Sequence, residues 1–320
     1  MRLTVPVCRT RKLTRHTGRM RAVRYHEYGG PEVLRIENTD APVAGPGQVR
    51  IAVGAASVNP MDLKLRSGAM ASGPLQRPRG TGLDAAGVVN QVGPDVTEVQ
   101  VGDRVFGAGS GTLAEQAVLT SWAPVPGGLS LPQAAALPTV AETAGRVLGL
   151  LPGERGSVLV VDGASGGVGT ILVQLALRRG LQVIGTASAA NQELLRRLGA
   201  TPTTYGPGLT ERVRVLVGHV DGAADLAGKG SAAELVQLVG DAGRVVTIAD
   251  FSGSTEAVLT DGSSGRSWET MAEVATLVAS GDLELLIDSE RDWSEAAEAH
   301  RRGESGQATG KIVLTVAAAG

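Results

Sequence analysis

The residues best placed to do chemistry are three glycines, Gly163, Gly166 and Gly169, in the run Val158-Leu-Val-Val-Asp-Gly163-Ala-Ser-Gly166-Gly-Val-Gly169-Thr-Ile-Leu-Val-Gln. An apolar strand-like stretch precedes them and a helix-like stretch follows. In that context such glycines let the backbone turn sharply and approach a pyrophosphate closely. The helix start adds unpaired N–H groups and the positive end of its dipole. The spacing points to a bound dinucleotide, cradled by Ala164, Ser165, Gly166, Gly167 and Val168. The same residues, Gly163-Ala-Ser165-Gly-Gly167, also satisfy the G-x-S-x-G pattern of a hydrolase nucleophile elbow, and His300 and several acids lie downstream. Against that reading, Gly169 is needed for dinucleotide packing and not for an elbow. The segment ahead of the turn also lacks the strand-helix series that such hydrolases build first.

The next apolar run ends in Val183-Ile-Gly-Thr186-Ala-Ser188-Ala-Ala-Asn191, with no Asp or Glu to grip the ribose 2′-hydroxyl of NAD. Thr186, Ser188 and Asn191 leave room for a 2′-phosphate, and Arg196 or Arg197 could supply a cation. NADPH is the expected cofactor.

The elements that must position these residues change character along the chain. Short alternating or apolar runs at 21–24, 33–37, 48–55, 86–92, 104–107 and 117–120, separated by turn formers such as Tyr28-Gly-Gly-Pro31, read as strands of a small barrel or sandwich. A helical pattern opens at Ser130-Leu-Pro and runs to 151. Strands then alternate with helices: strands at 157–161, 181–186, 202–205, 221–226 and 244–249, helices at 169–179, 191–198, 209–217 and 232–239. That is the grammar of a doubly wound parallel sheet. The tail reads as a helix at 269–279, a strand at 283–287, a helix at 294–302 and a strand at 311–315. The predicted class is α/β.

Composition narrows the function classes. The chain has 320 residues, 42% hydrophobic and 19% charged, with a single cysteine, Cys8. It is globular, it has no apolar run long enough to span a membrane, and it has neither a disulfide framework nor a cysteine-built zinc site. Eight basic residues precede the first acid, Glu27, leaving 22 basic against 32 acidic residues in the rest. Such a body is not expected to bind nucleic acid. The basic leader, 1–19, reads as an unstructured extension; a targeting peptide or a nucleic-acid arm is the alternative, and it lacks an apolar stretch for secretion. A cytoplasmic protein is expected. His16, His26, His219 and His300 are read as surface residues, the last on a charged helix.

These residues resemble the medium-chain dehydrogenase/reductase superfamily, in its zinc-free quinone oxidoreductase branch. The landmarks run from about 20 to 316: Tyr28-Gly-Gly-Pro-Glu-Val-Leu34, Ser57-Val-Asn-Pro-Met-Asp62, Gly82-Leu-Asp84-Ala-Ala-Gly87, Val101-Gly-Asp-Arg-Val-Phe106, the glycine turn, and Gly310-Lys-Ile-Val-Leu314. The resemblance implies a GroES-like β-rich catalytic domain built from 20–140 and 280–320, with a Rossmann domain at 141–279 between them. It also implies a homodimer. Catalytic-zinc ligands of relatives map onto Asn59, Leu83 and Thr139, which are no plausible ligand set, and the four-cysteine structural lobe is missing. Tyr205 is similar to the family's tyrosine beside the 2′-phosphate, while Asn191 stands where relatives often carry Lys. Thr139 and Lys311 are expected at the cofactor.

Without a Lewis acid, the feasible chemistry is hydride delivery to a carbon already activated by conjugation, in a quinone or an α,β-unsaturated carbonyl. Asn59 is the candidate amide donor to the developing oxyanion. Asp62 joins it as a candidate catalytic residue; Asp62 and Asp84 could orient backbone or cofactor, but for each a structural hydrogen bond is the favoured role. Pro60 follows Asn59 where some enoyl-reducing relatives carry a tyrosine proton donor, so protonation by solvent is expected. A carrier-linked or biosynthetic enoyl reductase is the alternative within this fold, and a non-catalytic NADPH-binding regulator the alternative outside it.

Overall fold

A computed structural model describes residues 18–316. Most of the basic leader, with Cys8 and His16, lies outside the described residues.

The first part of the chain forms β1 (Arg19–Tyr25), β2 (Arg35–Asp40), β3 (Val49–Val58), α1 (Pro60–Ser67), β4 (Arg79–Gly80), β5 (Asp84–Val92), β6 (Arg104–Gly109) and β7 (Gln116–Pro124). Two helices, α2 (Leu131–Ala135) and α3 (Pro138–Leu150), lead into the alternating part. That part runs β8 (Val158–Asp162), α4 (Gly167–Arg178), β9 (Gln182–Thr186), α5 (Gln192–Arg197), β10 (Thr201–Thr203), α6 (Leu209–Leu216), β11 (Gly222–Asp225), α7 (Ala232–Val239), β12 (Val245–Thr247), β13 (Val258–Leu259) and α8 (Glu269–Ser280). The chain closes with β14 (Ile287–Asp292), α9 (Ala296–Glu304) and β15 (Lys311–Thr315).

The fold is α/β, a GroES-like sheet domain beside a Rossmann domain. The Rossmann sheet has the order β10-β9-β8-β11-β12-β13, and its pairings are parallel. Its central strand β8 can be a continuous apolar run because helices cover both faces. The other large sheet has the order β14-β15-β3-β5-β6-β7, and an extra β3–β7 pairing curls it toward a barrel. Here β15, from the far end of the chain, pairs antiparallel with β3, Ile312 opposite Val58. That register carries Lys311 to the end of β3, beside Asn59.

Besides the short strands β4 and β13, which were not expected, three elements depart from the sequence expectation for a local reason. The helix expected from 130 to 151 is two helices, because Pro138 has no N–H to continue the first and instead opens the second at its first turn. The strand expected at 283–287 lies later, at Ile287–Asp292, where it forms the edge of its sheet and so carries the polar sequence Ile-Asp-Ser-Glu-Arg-Asp. Helix α1 was not expected at all. Its buried residues are Asp62 and Arg66, one turn apart, so no apolar periodicity announces it.

Candidate active site

At the end of β8 the chain turns through Gly163, whose φ of 83° favours glycine, into α4. The turn is braced from the next strand. Gly163 N–H donates to Thr186 Oγ at 3.1 Å and Ala164 N–H to the Thr186 carbonyl at 3.0 Å. The Thr186 hydroxyl in turn donates to Asp162, whose other oxygen accepts from Ser231 Oγ at 2.6 Å. Gly169 lies one helical turn in, and a Cβ there would stand 2.3 Å from the Gly163 carbonyl oxygen. The third glycine is thus needed for helix and strand to approach this closely.

An outer cleft of about 990 Å³ opens over this turn. Ser165, Gly166, Thr186, Ser188, Asn191 and Tyr205, six of the residues expected at the cofactor, line it. Their exposure differs. Thr186 is fully buried and mainly holds the turn, and Ala164 is buried behind it, while Tyr205 is 53% exposed. Asn191 Nδ2 donates to Ser165 Oγ at 3.4 Å and to Thr309 Oγ at 3.2 Å, closing one wall. Arg196 and Arg197 are not in this cleft: they pair with Glu193 and Glu284 on the exposed side of α5. The cation that does line it among the described residues is Lys229, which sequence reasoning missed; its Nζ lies 5.9 Å from the Tyr205 ring centroid. A signal was present, since Lys229 sits in a glycine-flanked loop after β11, at the carboxyl ends of the parallel strands where such folds bind ligands.

An inner cleft of about 350 Å³ continues from the outer one, sharing Gly163, Gly166, Leu226, Gly306 and Ala308 with it. Gly167, Val168, Asn59, Thr139 and Lys311 line it. A parallel bridge between Gly166 and Gly310 ties the turn to the start of β15. As a result a Cβ on Gly167 would stand 3.1 Å from Lys311 Cδ. Lys311 Nζ donates to Asn59 Oδ1 at 2.5 Å and to the Val58 carbonyl at 3.2 Å. Behind them lies Asp84, fully buried, which sequence reasoning gave only a supporting part. It accepts from Asn59 Nδ2 at 2.9 Å, Ser57 Oγ at 3.2 Å, and Thr139 Oγ at 2.6 Å, and stands 3.7 Å from Lys311 Nζ. Burial pulls the Lys311 ammonium below the usual lysine range, and Asp84 and Asp62 hold it up.

Asp62 does not line the cleft. It sits on α1 and accepts the Asn59 backbone N–H at 2.8 Å, fixing the residue that does. Burial raises its carboxyl to about 7, with Asp84 adding to the rise and the Asn59 N–H and Lys311 opposing it. An unfolded chain ionises this group near 4. Between those values the folded state holds the extra proton, so its contribution is most favourable at the acid end and is lost as pH rises to neutrality. Asp62→Asn keeps the acceptor without the charge. The melting temperature of the variant should therefore gain several degrees on the wild type between pH 5 and 8; a constant difference across that range would show that Asp62 does not titrate there in the folded protein.

His300 corrects the surface reading. It is 1% exposed, on the face of α9 that also buries Ala296 and Ala299, while Glu298 and Arg301 pair on the other side. Burial and the nearby Arg66 push its pKa down to about 3, so the ring is a neutral packing group.

Comparison with known proteins agrees with this architecture. A model of the alcohol dehydrogenase GroES-like domain matches residues 45–130, and a zinc-binding dehydrogenase model matches 198–314. A quinone oxidoreductase of Mus musculus is 33% identical over 324 residues, covering 92% of this chain and 97% of its own length. An NADPH-dependent alkenal/one oxidoreductase of Arabidopsis thaliana is 32% identical, over 92% of this chain and 79% of its own. A mycobacterial protein solved in complex with NADPH superposes with a TM-score of 0.80 at 27% identity, covering 92% of this chain and 100% of that one. The chain also matches a Streptomyces orinoci polyketide synthase system protein at 35% identity, spanning 13% of that protein's length. With the fold, the glycine turn and near full-length relatives in agreement, this chain belongs to the medium-chain dehydrogenase/reductase superfamily, in its quinone oxidoreductase branch, a family of nicotinamide-dependent oxidoreductases.

Proposed function

We propose that the protein is an NADPH-dependent reductase that delivers hydride to a quinone or an α,β-unsaturated carbonyl without a metal ion. The observation that carries this reading is the continuity of the two clefts, which puts the dinucleotide turn and the Asn59–Lys311 pair on one space. The nicotinamide, when bound, supplies the hydride. The α4 N-terminus and the close backbone at Gly166 and Gly167 would hold its pyrophosphate. Asn59 and Lys311 present an amide and a cation where negative charge develops on the acceptor oxygen. Asp84 and Asp62 orient them and touch no substrate.

The positions that match the zinc ligands of relatives do not suit a metal. Leu83 has no donor atom, Asn59 Oδ1 is taken by Lys311, and the Thr139 hydroxyl donates to Asp84. Among the described residues that line the inner cleft there is no Tyr, His or Cys, which favours water as the proton source. A cytoplasmic homodimer belongs to the same reading, and sedimentation of the purified protein tests its oligomeric part.

The deciding assay is oxidation of NADPH with benzoquinone, phenanthrenequinone and a simple enone, with and without EDTA. EDTA-resistant turnover that prefers NADPH is expected. Tight NADPH binding without turnover of any acceptor would overturn the reading in favour of a regulator, and loss of activity in EDTA would overturn its metal-free part.

A further inference from the structure

We propose that the mouth of the inner cleft binds an anionic group on the acceptor, so that the substrate class is a quinone or enone carrying a carboxylate, sulfonate or phosphate substituent. This rests on the hydride-transfer reading above. The inner wall of the cleft is apolar, with Val58, Leu83, Val140 and Ile248 facing a conjugated ring or chain. Four cations line the cleft: Lys64, Arg146, Arg266 and Lys311. Two of them are tied to neighbouring groups of the protein. Lys311 holds Asn59 and Val58, and Arg146 holds Glu142 through Nε at 2.7 Å and Thr260 through Nη1 at 2.5 Å.

Lys64 and Arg266 are different. Lys64 Nζ lies 4.5 Å from the Phe251 ring centroid, and Arg266 Cζ lies 5.2 Å from that of Trp268. A ring holds a cation in place through its quadrupole and leaves the N–H donors available. Among the described residues no carboxylate pairs with Lys64. Arg266 reaches only Glu142, at 3.8 Å, and Glu142 is already held by Arg146. The two cations come from separate parts of the chain, α1 and the segment before α8, and both line this cleft. The opposing charge at this opening is Asp261, an exposed carboxylate that accepts from Ser263 N–H at 2.8 Å. A neutral flat acceptor would use neither cation; an anionic substituent would take charge-assisted hydrogen bonds from both.

The test compares naphthoquinone sulfonate with the parent naphthoquinone, using NADPH as donor. The wild type should favour the sulfonate in kcat/KM, and the preference should shrink as salt is added. Lys64→Gln and Arg266→Gln should each lower the sulfonate-to-parent ratio by about three- to tenfold, and the double variant should bring it near one. A ratio that ignores salt and both substitutions would overturn the proposal. If neither quinone turns over, the hydride-transfer reading fails separately. Calorimetric binding of naphthalenesulfonate against naphthalenemethanol then decides the site: weaker sulfonate binding in the variants supports it, and equal binding of the two compounds overturns it.

Discussion

Replacing Lys311 by Met is expected to lower kcat with a neutral quinone by about a hundredfold while NADPH still binds, because it removes the buried cation beside Asn59. The change also releases Asn59, whose Oδ1 loses its donor while Nδ2 stays on Asp84. A slow enzyme alone would not separate catalysis from folding, since Asp84 would be left buried without its cation, at about 3–5 kcal/mol. The double variant Asp84→Asn with Lys311→Met separates them. It replaces a buried pair with neutral groups, so its melting temperature should recover toward wild type while its turnover stays low. Recovery of wild-type turnover in the double variant would mean that Lys311 only stabilises the fold. The pH profile gives an independent readout: burial lowers the Lys311 pKa, so wild-type kcat should fall on the alkaline side before the usual lysine range is reached.

What could be read from the sequence divides along the same lines as the forces that build the site. The glycine turn was legible because each feature is local: the apolar run of β8, the glycines three apart, the helix after them. Elements whose cores are not apolar were illegible. Helix α1 buries Asp62 and Arg66 instead of aliphatic residues, and β14 shows a polar edge to solvent. The inner cleft depends on topology that no window of sequence contains. Asn59 and Lys311 are 252 residues apart, and only the antiparallel pairing of β15 with β3 joins them. Both were picked out through family resemblance, and so was Asp84, but its place as the carboxylate that binds them to Thr139 was not. Its hydrogen bonds to Ser57, Asn59 and Thr139 converge from the ends of three different elements. His300 misled for the opposite reason. Its neighbours in sequence are charged, yet a helix places them on another face.

Lys229 is expected to set the preference for NADPH. The Asn191 amide is engaged with Ser165 and Thr309. The arginines of α5 pair with glutamates away from the cleft. Of the charged residues that remain along the outer cleft, Asp162 accepts from Thr186 and Ser231, and Glu234 accepts the Thr210 N–H at 2.8 Å. Lys229 is thus the cation there that can meet a 2′-phosphate, with the exposed Tyr205 ring beside it. Lys229→Gln should weaken binding of 2′,5′-ADP about tenfold by calorimetry, the size of one charge-assisted contact at a partly exposed site, and leave 5′-ADP within a factor of two. KM for NADPH should rise in parallel while KM for NADH holds. Because 2′,5′-ADP carries no nicotinamide, the binding arm reads the phosphate contact without any contribution from turnover. Equal losses for both ADP isomers would mean that Lys229 shapes the pocket instead of recognising the phosphate, and the preference for NADPH would then have to come from the lack of an acid after β9 alone.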